Sequence, residues 1–333
     1  MNPFVANQVH AVIEEIRLLE AFITAPLGLY SDIKMMRESL PFPDAAELPR
    51  DELRERRTAF GQITDFPQQL TLDTISSLRA SVNILAQVKD DAEITKLHEG
   101  WIPRVRMVLN RSENQVAAEL RAGIASKLCG IYVIVDPEAT GDRDVIEIAM
   151  AALKGGVTAV QFRDKTRDKG EVISIARELL NLCNQHDALF IMNDDADVTI
   201  ASGAHGLHVG QTDLPIGEAR KSLALHQIVG RSNNGLEQAI DSHQQGADYL
   251  AVGAVYATTT MGKSGRSAVG PETIRKVREA VDQPIVAIGG IDESNIVEVV
   301  QAGAESICVV SAITMADNPE AAASKLVGLF NSA

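Results

Sequence analysis

The 333-residue sequence predicts a chain of two parts: a small all-α domain at residues 1–125 and an α/β domain, a (β/α)8 TIM barrel, at residues 126–333. Two observations lead to this prediction. Before Gly130 the chain has few glycines, and its apolar positions recur with helical spacing. From Gly130 onward, short apolar runs rich in β-branched residues alternate with amphipathic segments, which is typical of parallel strands joined by helices.

The N-terminal part begins with a helix in which Val12, Ile16 and Leu19 mark one apolar face. Similar spacing predicts further helices at 33–40, 70–88, 102–109 and, as a final or linking helix, 115–127. The stretch PFPDAAELPRDELRERRTAF lies between the helices predicted at 33–40 and 70–88, and its second half, after Pro49, is predicted to be another helix.

Eight apolar runs are predicted to be the barrel strands, and the segments between them have helical periodicity. The runs are 131–136, 157–162, 188–193, 206–210, 228–232, 249–256, 284–290 and 306–312. A last helix is predicted at 319–331. Eight strand–helix units in about 200 residues fit a closed barrel. An open doubly wound sheet is disfavoured because no glycine fingerprint follows the first strand.

Charge and cysteine content restrict the class of protein. The chain has 31 basic and 45 acidic residues, a net charge of −14, which argues against nucleic acid or anionic membrane as a partner. The three cysteines, Cys129, Cys183 and Cys308, are too few for a disulfide scaffold or a four-ligand zinc site, and their apolar neighbours predict buried thiols. Without a basic signal region or an apolar stretch of about 18 residues, a soluble, cytoplasmic protein is expected.

Residues capable of chemistry lie at the C-terminal end of nearly every predicted strand or directly after it. They include Gln161, Arg163, Lys165, Asn193, Asp194, Asp213, Ser232, Thr258, Thr260, Gly290 and Ser311. Taken singly, QFRDK fits a solvated turn, NDD and QTD fit helix N-caps, and the threonines fit strand ends. Because the C-terminal ends of barrel strands form one rim, their recurrence at equivalent positions favours an active site.

The residue types at this rim suit phosphate chemistry. Gly289-Gly290 and Val310-Ser311, after strands seven and eight, match the recurrent monophosphate site of such barrels. Arg163 and Lys165, two residues apart and expected to share an orientation along a strand, can bind several oxygens of a polyphosphate.

Asp194 and Asp213, from adjacent strands, offer hard oxygen ligands for Mg²⁺. A cationic pair with magnesium carboxylates, opposite a monophosphate site, implies two small phosphorylated substrates, one of which loses pyrophosphate.

Residues 130–333 resemble thiamine phosphate synthase (thiamine-phosphate pyrophosphorylase). The motifs that carry the resemblance are VQFRDK (160–165), NDD (193–195), GLHVGQTD (206–213), GRS (230–232), YATTT (256–260), AIGGI (287–291) and VVSAI (309–313). The resemblance implies a transferase of thiamine biosynthesis. It would condense 4-amino-2-methyl-5-hydroxymethylpyrimidine diphosphate with 4-methyl-5-hydroxyethylthiazole phosphate to thiamine phosphate and pyrophosphate, by a dissociative, magnesium-assisted mechanism.

The resemblance also implies roles for individual residues. Those expected to hold the pyrimidine diphosphate are Gln161, Arg163, Lys165 and Asn193. Those expected at the thiazole phosphate are Thr258, Thr260, Gly290, Val310 and Ser311. Asp194 and Asp213 would ligate Mg²⁺, and Ser232 would contact the pyrimidine or its departing pyrophosphate. Arg163, Lys165 and Ser232 are the expected catalytic residues.

Two positions depart from the family pattern. Met261 stands where the family usually has a lysine directed at the diphosphate, and Lys263 is the candidate to replace it. Asn234 stands where the family commonly has a histidine. These changes leave open a thiazole tautomerase-like enzyme or a non-catalytic sensor of thiamine intermediates, although relatives of the tautomerase do not need the diphosphate and magnesium set.

The helical part carries a weaker resemblance. EEIRLLE (14–20) and LRASVNILAQ (78–87) are similar to motifs of an all-helical domain that is fused to some members of the family and proposed to phosphorylate hydroxymethylpyrimidine phosphate. Val9 and His10 replace the polar residues usual before the first motif. A packing, regulatory or oligomerisation role, with a homo-oligomer as one alternative, is therefore favoured over a kinase.

Overall fold

The computed structural model describes residues 3–22, 29–42, 45, 67–141, 143–258 and 268–333. The chain divides into two compact units, Met1–Leu120 and Arg121–Ala333. The helix predicted after Pro49 lies outside the described residues. No described helix has the length and apolar character needed to cross a membrane.

The first unit is helical. Its helices are α1 (Pro3–Phe22), α2 (Tyr30–Glu38), α3 (Pro67–Leu85) and α4 (Ala92–Glu99), followed by α5 (Trp101–Ala125), which continues into the second unit. The single helix α5 replaces the two helices predicted at 102–109 and 115–127. Helix α4 was not predicted, because it is short and buries only Ile94 and Leu97; Asp91 caps it by accepting hydrogen bonds from two backbone N–H groups of its first turn.

A buried ion pair connects α1 and α2. Arg37 Nε lies 2.9 Å from Glu20 Oε2, and the side chains of both residues are at most 5% exposed. Arg37 Nη1 also donates to the backbone oxygen of Ala45 at 2.6 Å. Burial raises the pKa of Glu20 above its ordinary value, while the hydrogen bond and the charge of Arg37 lower it. Arg37 therefore supplies the positive charge that stabilises the buried carboxylate of Glu20.

The second unit is a closed barrel of eight parallel strands paired in sequence order, with β1 next to β8. The strands are β1 (Gly130–Val135), β2 (Ala159–Phe162), β3 (Leu189–Asn193), β4 (Gly206–Val209), β5 (Ile228–Asn233), β6 (Tyr249–Gly253), β7 (Ile285–Ile288) and β8 (Ser306–Val309). The predicted fold class is confirmed. Strands six, seven and eight end two or three residues earlier than predicted, so Thr258 and Gly290 lie in loops and Ser311 begins a short helix.

Helices surround the strands. They are α6 (Val145–Lys154), α7 (Lys169–Gln185), α8 (Ala196–Ser202), α9 (Ile216–Ser222), α10 (Leu236–Gln244), α11 (Pro271–Ala280), α12 (Ile296–Gln301), α13 (Ser311–Thr314) and α14 (Pro319–Asn331). The last helix has the predicted bounds. The one-turn helix α13 was not predicted, because four residues are too few to show a helical period.

Side chains alternate between the two sides of each strand. On β1, Ile131 and Val133 pack outward against the helices, while Tyr132 and Ile134 belong to the cluster inside the barrel. Of the three cysteines, Cys183 and Cys308 are buried, but Cys129 is exposed. The prediction of a buried thiol is wrong for Cys129, because it lies between the end of α5 and β1, outside both apolar layers.

We expect the substitution Arg37→Met to lower the free energy of unfolding of the helical unit by about 3 kcal/mol, because it leaves the Glu20 carboxylate buried without its cation. Trp101 is the single tryptophan of the chain and is buried in this unit, so its fluorescence during denaturant unfolding measures the effect.

The matched control is Lys34→Met on the same helix. Lys34 pairs with Glu38 at 3.6 Å, with both side chains about half exposed, so the change should cost under about 1 kcal/mol. Equal stability of the two variants would contradict the role given to the buried pair.

Candidate active site

The loops that follow β5 to β8 enclose an open cavity at the C-terminal rim of the barrel. Its empty space, with the open solvent at its mouth included, is about 760 Å³, and the predicted site residues among those that line it are Ser232, Thr258, Gly290, Val310 and Ser311. Ala251, Ile288 and Cys308 line the same cavity and were not predicted there. The signal that could have found them is strand alternation, which turns these three side chains towards the barrel interior.

Two consecutive glycines form one wall of the cavity. Gly289 and Gly290 have φ angles of 103° and 64°, a region that residues with a side chain rarely adopt. A Cβ atom at Gly290 would lie 2.8 Å from the carbonyl oxygen of Ala257. The Gly290 carbonyl oxygen accepts a hydrogen bond from Asn295 Nδ2 at 2.9 Å. This hydrogen bond fixes the turn, and without side chains at residues 289 and 290 the backbone itself borders the cavity.

The opposite wall is the start of α13. Ser311 is its first residue, and the backbone N–H groups of Ile313 and Thr314 donate to the Val310 carbonyl oxygen at 3.0 and 2.9 Å. From the loop after β1, Arg143 donates to the carbonyl oxygens of Thr314 and Ala316. A short extra helix after β8, held at its C-terminal end by Arg143, matches the common phosphate-binding arrangement of these barrels.

A carboxylate pair and a lysine lie after β2, β3 and β4. Lys165 Nζ is 2.5 Å from Asp194 Oδ2. Burial raises the pKa of Asp194 above its ordinary value, the Asp213 carboxyl beside it adds to the rise, and Lys165 opposes it. The two predicted magnesium ligands are thus close enough to interact directly.

Local backbone features place these two carboxylates. Asp194 has a φ of 59°, which aspartate tolerates better than most residues. Asp213 Oδ2 accepts a hydrogen bond from the backbone N–H of Gly210 at 2.8 Å, and a Cβ atom at residue 210 would lie 2.7 Å from that oxygen. Of the NDD motif, Asp195 takes the position preceding α8, as an N-cap would, but its side chain makes no capping hydrogen bond.

The donor chemistry of the pair fits Mg²⁺. Two adjacent carboxylates repel each other unless a cation lies between or beside them, and Mg²⁺ takes one or two carboxylates together with water and phosphate oxygens. Within the described parts of the chain there is no group of three or more histidine, cysteine or acidic side chains that could hold a metal. Any magnesium here would therefore rely on Asp194 and Asp213 as its carboxylate ligands.

Arg163 lies on the other side of the β2 loop. Its guanidinium forms an ion pair with Asp136, whose side chain is 1% exposed, and its Nη1 is 3.7 Å from Glu138 Oε2. Strand β2 ends at Phe162, so strand geometry does not align Arg163 with Lys165. The shared orientation expected from the sequence is wrong: each cation contacts a carboxylate on a different neighbouring loop.

Asp164, between these cations, holds the turn together. Its carboxylate accepts hydrogen bonds from the backbone N–H groups of Thr166 and Arg167 and pairs with the Arg167 guanidinium. Burial raises the pKa of Asp164, but these contacts outweigh it and lower the value below the ordinary one. QFRDK is therefore an anchored turn, and the interpretation as a solvated turn is not supported.

The remaining residues expected at the pyrimidine lie deeper. Gln161 is 3% exposed, and its Nε2 donates to the Tyr132 hydroxyl at 2.7 Å. Asn193 is the last residue of β3 and is half-buried.

His208, on β4, joins the carboxylate side of the rim to the cavity. Its carbonyl oxygen accepts a hydrogen bond from the Asp194 backbone N–H at 2.8 Å, and its Nε2 is 2.9 Å from Ser232 Oγ. Gln211 Nε2 donates to the Ser232 carbonyl oxygen at 2.5 Å. No role was predicted for His208, although a histidine in the apolar run GLHVG, at an inward-facing position, was a usable signal.

Three residues with predicted importance, Thr260, Met261 and Lys263, lie outside the described residues. Of the asparagine pair after Ser232, Asn233 is buried and bonds the carbonyl oxygens of Arg231 and Ala251, which makes it structural. Asn234 lines the cavity.

Comparison with known proteins agrees with this geometry. A family model described as thiamine monophosphate synthase matches residues 131–313. The thiamine-phosphate synthase of Methanospirillum hungatei is 43% identical over 202 residues, which cover 61% of this chain and 98% of that protein. The thiamine-phosphate synthase of Shouchella clausii is 42% identical over 206 residues, covering 61% and 97%.

A longer relative and a solved structure match the same part of the chain. The thiamine-phosphate synthase of Thermosynechococcus vestitus is 42% identical over 214 residues, covering 64% of this chain and 58% of that protein. The thiamine phosphate pyrophosphorylase from Pyrococcus furiosus superimposes with a TM-score of 0.57 at 35% identity, covering 63% of this chain and 98% of that one. Because the family match spans more than half of the residues and runs from β1 to α13, the chain belongs to the thiamine monophosphate synthase family.

Proposed function

We propose that this chain condenses 4-amino-2-methyl-5-hydroxymethylpyrimidine diphosphate with 4-methyl-5-hydroxyethylthiazole phosphate, giving thiamine phosphate and pyrophosphate. The observation that carries the proposal is the arrangement of the rim. The cluster of Lys165, Asp194 and Asp213 is connected through His208 to Ser232, at the edge of the glycine-lined cavity. Two phosphorylated substrates can therefore bind on the two sides of Ser232.

At the diphosphate end, Arg163 and Lys165 bind the leaving group. Both cations also pair with carboxylates, Asp136 and Asp194, so the phosphate oxygens share them with these existing partners. Gln161 and Asn193 contact the pyrimidine. Lys263, in the undescribed part of the β6 loop, is proposed to supply the further cation that Met261 lacks.

Asp194 and Asp213 would hold Mg²⁺, and the bound ion would supply positive charge to the diphosphate oxygens. Because Lys165 contacts Asp194 directly, it stabilises the same region of the leaving group from the protein side. Arg163, on the opposite side of the β2 turn, would contact the leaving group from there.

At the other end, the thiazole phosphate binds between the two cavity walls. Gly290, Val310 and Ser311 offer backbone and hydroxyl groups at the position where this barrel architecture binds monophosphates, and Thr258 and Thr260 contribute from the β6 loop. The phosphate thus anchors the thiazole ring with its nitrogen towards the pyrimidine.

The chemistry requires charge stabilisation and alignment. The bond between the pyrimidine methylene carbon and the diphosphate oxygen breaks, and its electron pair leaves with pyrophosphate. The electron-rich aminopyrimidine carries the resulting cation until the thiazole nitrogen forms the new carbon–nitrogen bond. No general base is needed, so Arg163, Lys165 and Ser232 act by stabilising the leaving group and orienting the substrates.

The domain bounds, the cellular location and the class of substrate are also part of the proposal. We propose domains at residues 1–125 and 126–333, with condensation in the second, and a cytoplasmic enzyme that acts on small phosphorylated molecules. Support for the location comes from three free cysteines and a net charge of −14. A thiazole tautomerase would not need the cluster of Lys165, Asp194 and Asp213, so this cluster favours the synthase over the tautomerase.

The purified full chain should form thiamine phosphate from the two substrates in the presence of Mg²⁺, measured by conversion of the product to fluorescent thiochrome phosphate. We expect Asp194→Asn to lower kcat/KM on the order of 100-fold and to raise the magnesium concentration needed for half-maximal rate, because one anionic ligand is lost. Asparagine tolerates the positive φ of this position, so the fold should remain.

Asp197→Asn is the control for that variant. Asp197 is an exposed carboxylate three residues away that pairs with Lys169. Loss of activity in both variants, or an unchanged magnesium requirement in Asp194→Asn, would contradict the assigned metal site. A wild-type chain that binds both substrates without forming product would contradict the synthase and favour a sensor.

Gly290→Ala tests the cavity wall. The added methyl group would lie 2.8 Å from the Ala257 carbonyl oxygen and so displace the turn, and we therefore expect the KM for the thiazole phosphate to rise at least about 10-fold while the KM for the pyrimidine diphosphate stays unchanged. Steady-state kinetics with each substrate varied in turn measures this split.

The matched control is Gly246→Ala, which has a similar positive φ of 85° but open space around its Cβ position. It carries the same backbone strain of about 1 kcal/mol without touching the cavity. A rise in the KM for the pyrimidine diphosphate in Gly290→Ala, or equal kinetic defects in both variants, would show that the glycine does not serve the thiazole phosphate.

A further inference from the structure

Five polar side chains form a continuous hydrogen-bonded chain across the barrel interior. Gln161 Nε2 contacts the Tyr132 hydroxyl at 2.7 Å, and this hydroxyl lies 3.4 Å from that of Tyr249. The Tyr249 hydroxyl lies 3.0 Å from His208 Nδ1, and His208 Nε2 lies 2.9 Å from Ser232 Oγ. The chain crosses β2, β1, β6, β4 and β5 and ends at two residues proposed to contact the pyrimidine.

The middle of this hydrogen-bonded series of side chains is buried. Tyr132 and Tyr249 are at most 1% exposed, and His208 is 7% exposed. Gly230, two residues before Ser232, provides the space for the tyrosine ring: a Cβ atom there would lie 1.9 Å from Tyr249 Cζ. The glycine of the GRS motif is therefore required by the position of Tyr249.

The number of protons on each group determines which group donates and which accepts along this hydrogen-bonded series. The amide nitrogen of Gln161 can only donate, so the Tyr132 hydroxyl accepts there and has its single proton available for Tyr249. Tyr249 then accepts from Tyr132 and donates its own proton to His208 Nδ1. The reverse direction would leave the proton of Tyr132 without an acceptor among its two hydrogen-bond partners in the described residues, Gln161 Nε2 and the Tyr249 hydroxyl, which is costly.

The same count fixes the other end. A histidine that accepts at Nδ1 and is neutral carries its proton on Nε2, so His208 donates to Ser232 Oγ. The proton of the Ser232 hydroxyl is then available for a molecule bound in the cavity. Burial raises the pKa of both tyrosines above the ordinary value, which keeps these hydroxyls protonated as donors.

We propose that Tyr249 is a positioning residue that acts through His208 to hold Ser232 as a hydrogen-bond donor towards an acceptor atom of the pyrimidine diphosphate. This inference rests on the proposed function, in which Ser232 and Gln161 contact that substrate. The hydrogen-bonded series thereby fixes the orientation of Gln161 and Ser232, the two residues proposed to contact this substrate. A substrate analogue that presents a donor to Ser232 is rejected.

The direct test is the tautomer of His208 in the substrate-free full chain, read from its ring nitrogen chemical shifts by NMR with ¹⁵N-histidine labelling. In the wild type we expect Nδ1 without a proton and Nε2 protonated. In Tyr249→Phe the donor to Nδ1 is lost, and we expect the signal of the Nδ1-protonated tautomer to grow. A wild-type His208 with its proton on Nδ1, or a tautomer unaffected by Tyr249→Phe, would overturn the proposal.

Kinetics provide the second readout. Tyr249→Phe should lower kcat/KM for the pyrimidine diphosphate about 10-fold and leave the KM for the thiazole phosphate unchanged. In the background of Ser232→Ala, the same substitution should have no further effect, because both act through one hydroxyl. Additive losses would overturn the proposal. Tyr30→Phe, which removes a hydroxyl from α2 in the helical unit, is the control and should match the wild type.

The two hypotheses fail in different ways. If the wild-type chain makes no thiamine phosphate, the proposed function fails, while the tautomer measurement still tests the direction of the hydrogen-bonded chain. If the wild type is active but Tyr249→Phe changes neither the tautomer nor the kinetics, the proposed function remains and the positioning role of Tyr249 is wrong.

Discussion

The pairing of β1 with β8 is the constraint on which the site depends. It closes the sheet, so every strand has two neighbours and all eight C-terminal ends lie on one rim. Closure also brings the loop after β1 against the helix after β8, where Thr314 Oγ1 donates to the Ala139 carbonyl oxygen at 2.5 Å. Thr314 and Ala139, 175 residues apart in sequence, are held together by this contact.

Charge at this rim is balanced before any substrate binds. The cations on either side of the β2 turn each have a carboxylate partner, and Asp164 keeps the turn between them rigid. In a protein with a net charge of −14, these local cations are the groups that a polyanion can bind here, and Asp136 and Asp194 remain beside them. In the proposed reaction, Arg163 and Lys165 also contact the leaving group.

Sequence reasoning predicted the regular part of the structure well. Eight apolar runs became eight strands, and the polar residues after them reached one rim, because barrel strands are buried on both faces and leave a strong signal. The directions of Arg163 and Lys165 were predicted wrongly, since they depend on where β2 stops. The contacts of Asp136 and His208 were missed because they join loops or strands distant in sequence, and one-turn α13 is too short to leave a period.

The central claim is that one rim binds two phosphorylated molecules on opposite sides of Ser232. A crystal structure of the full chain with thiamine phosphate, pyrophosphate and Mg²⁺ tests it most directly. The account predicts the phosphate ester of the product against the backbone of Gly290 and Ser311, with pyrophosphate between Arg163 and Lys165. Both phosphate groups at a single end of the rim, or either one away from these residues, would contradict it.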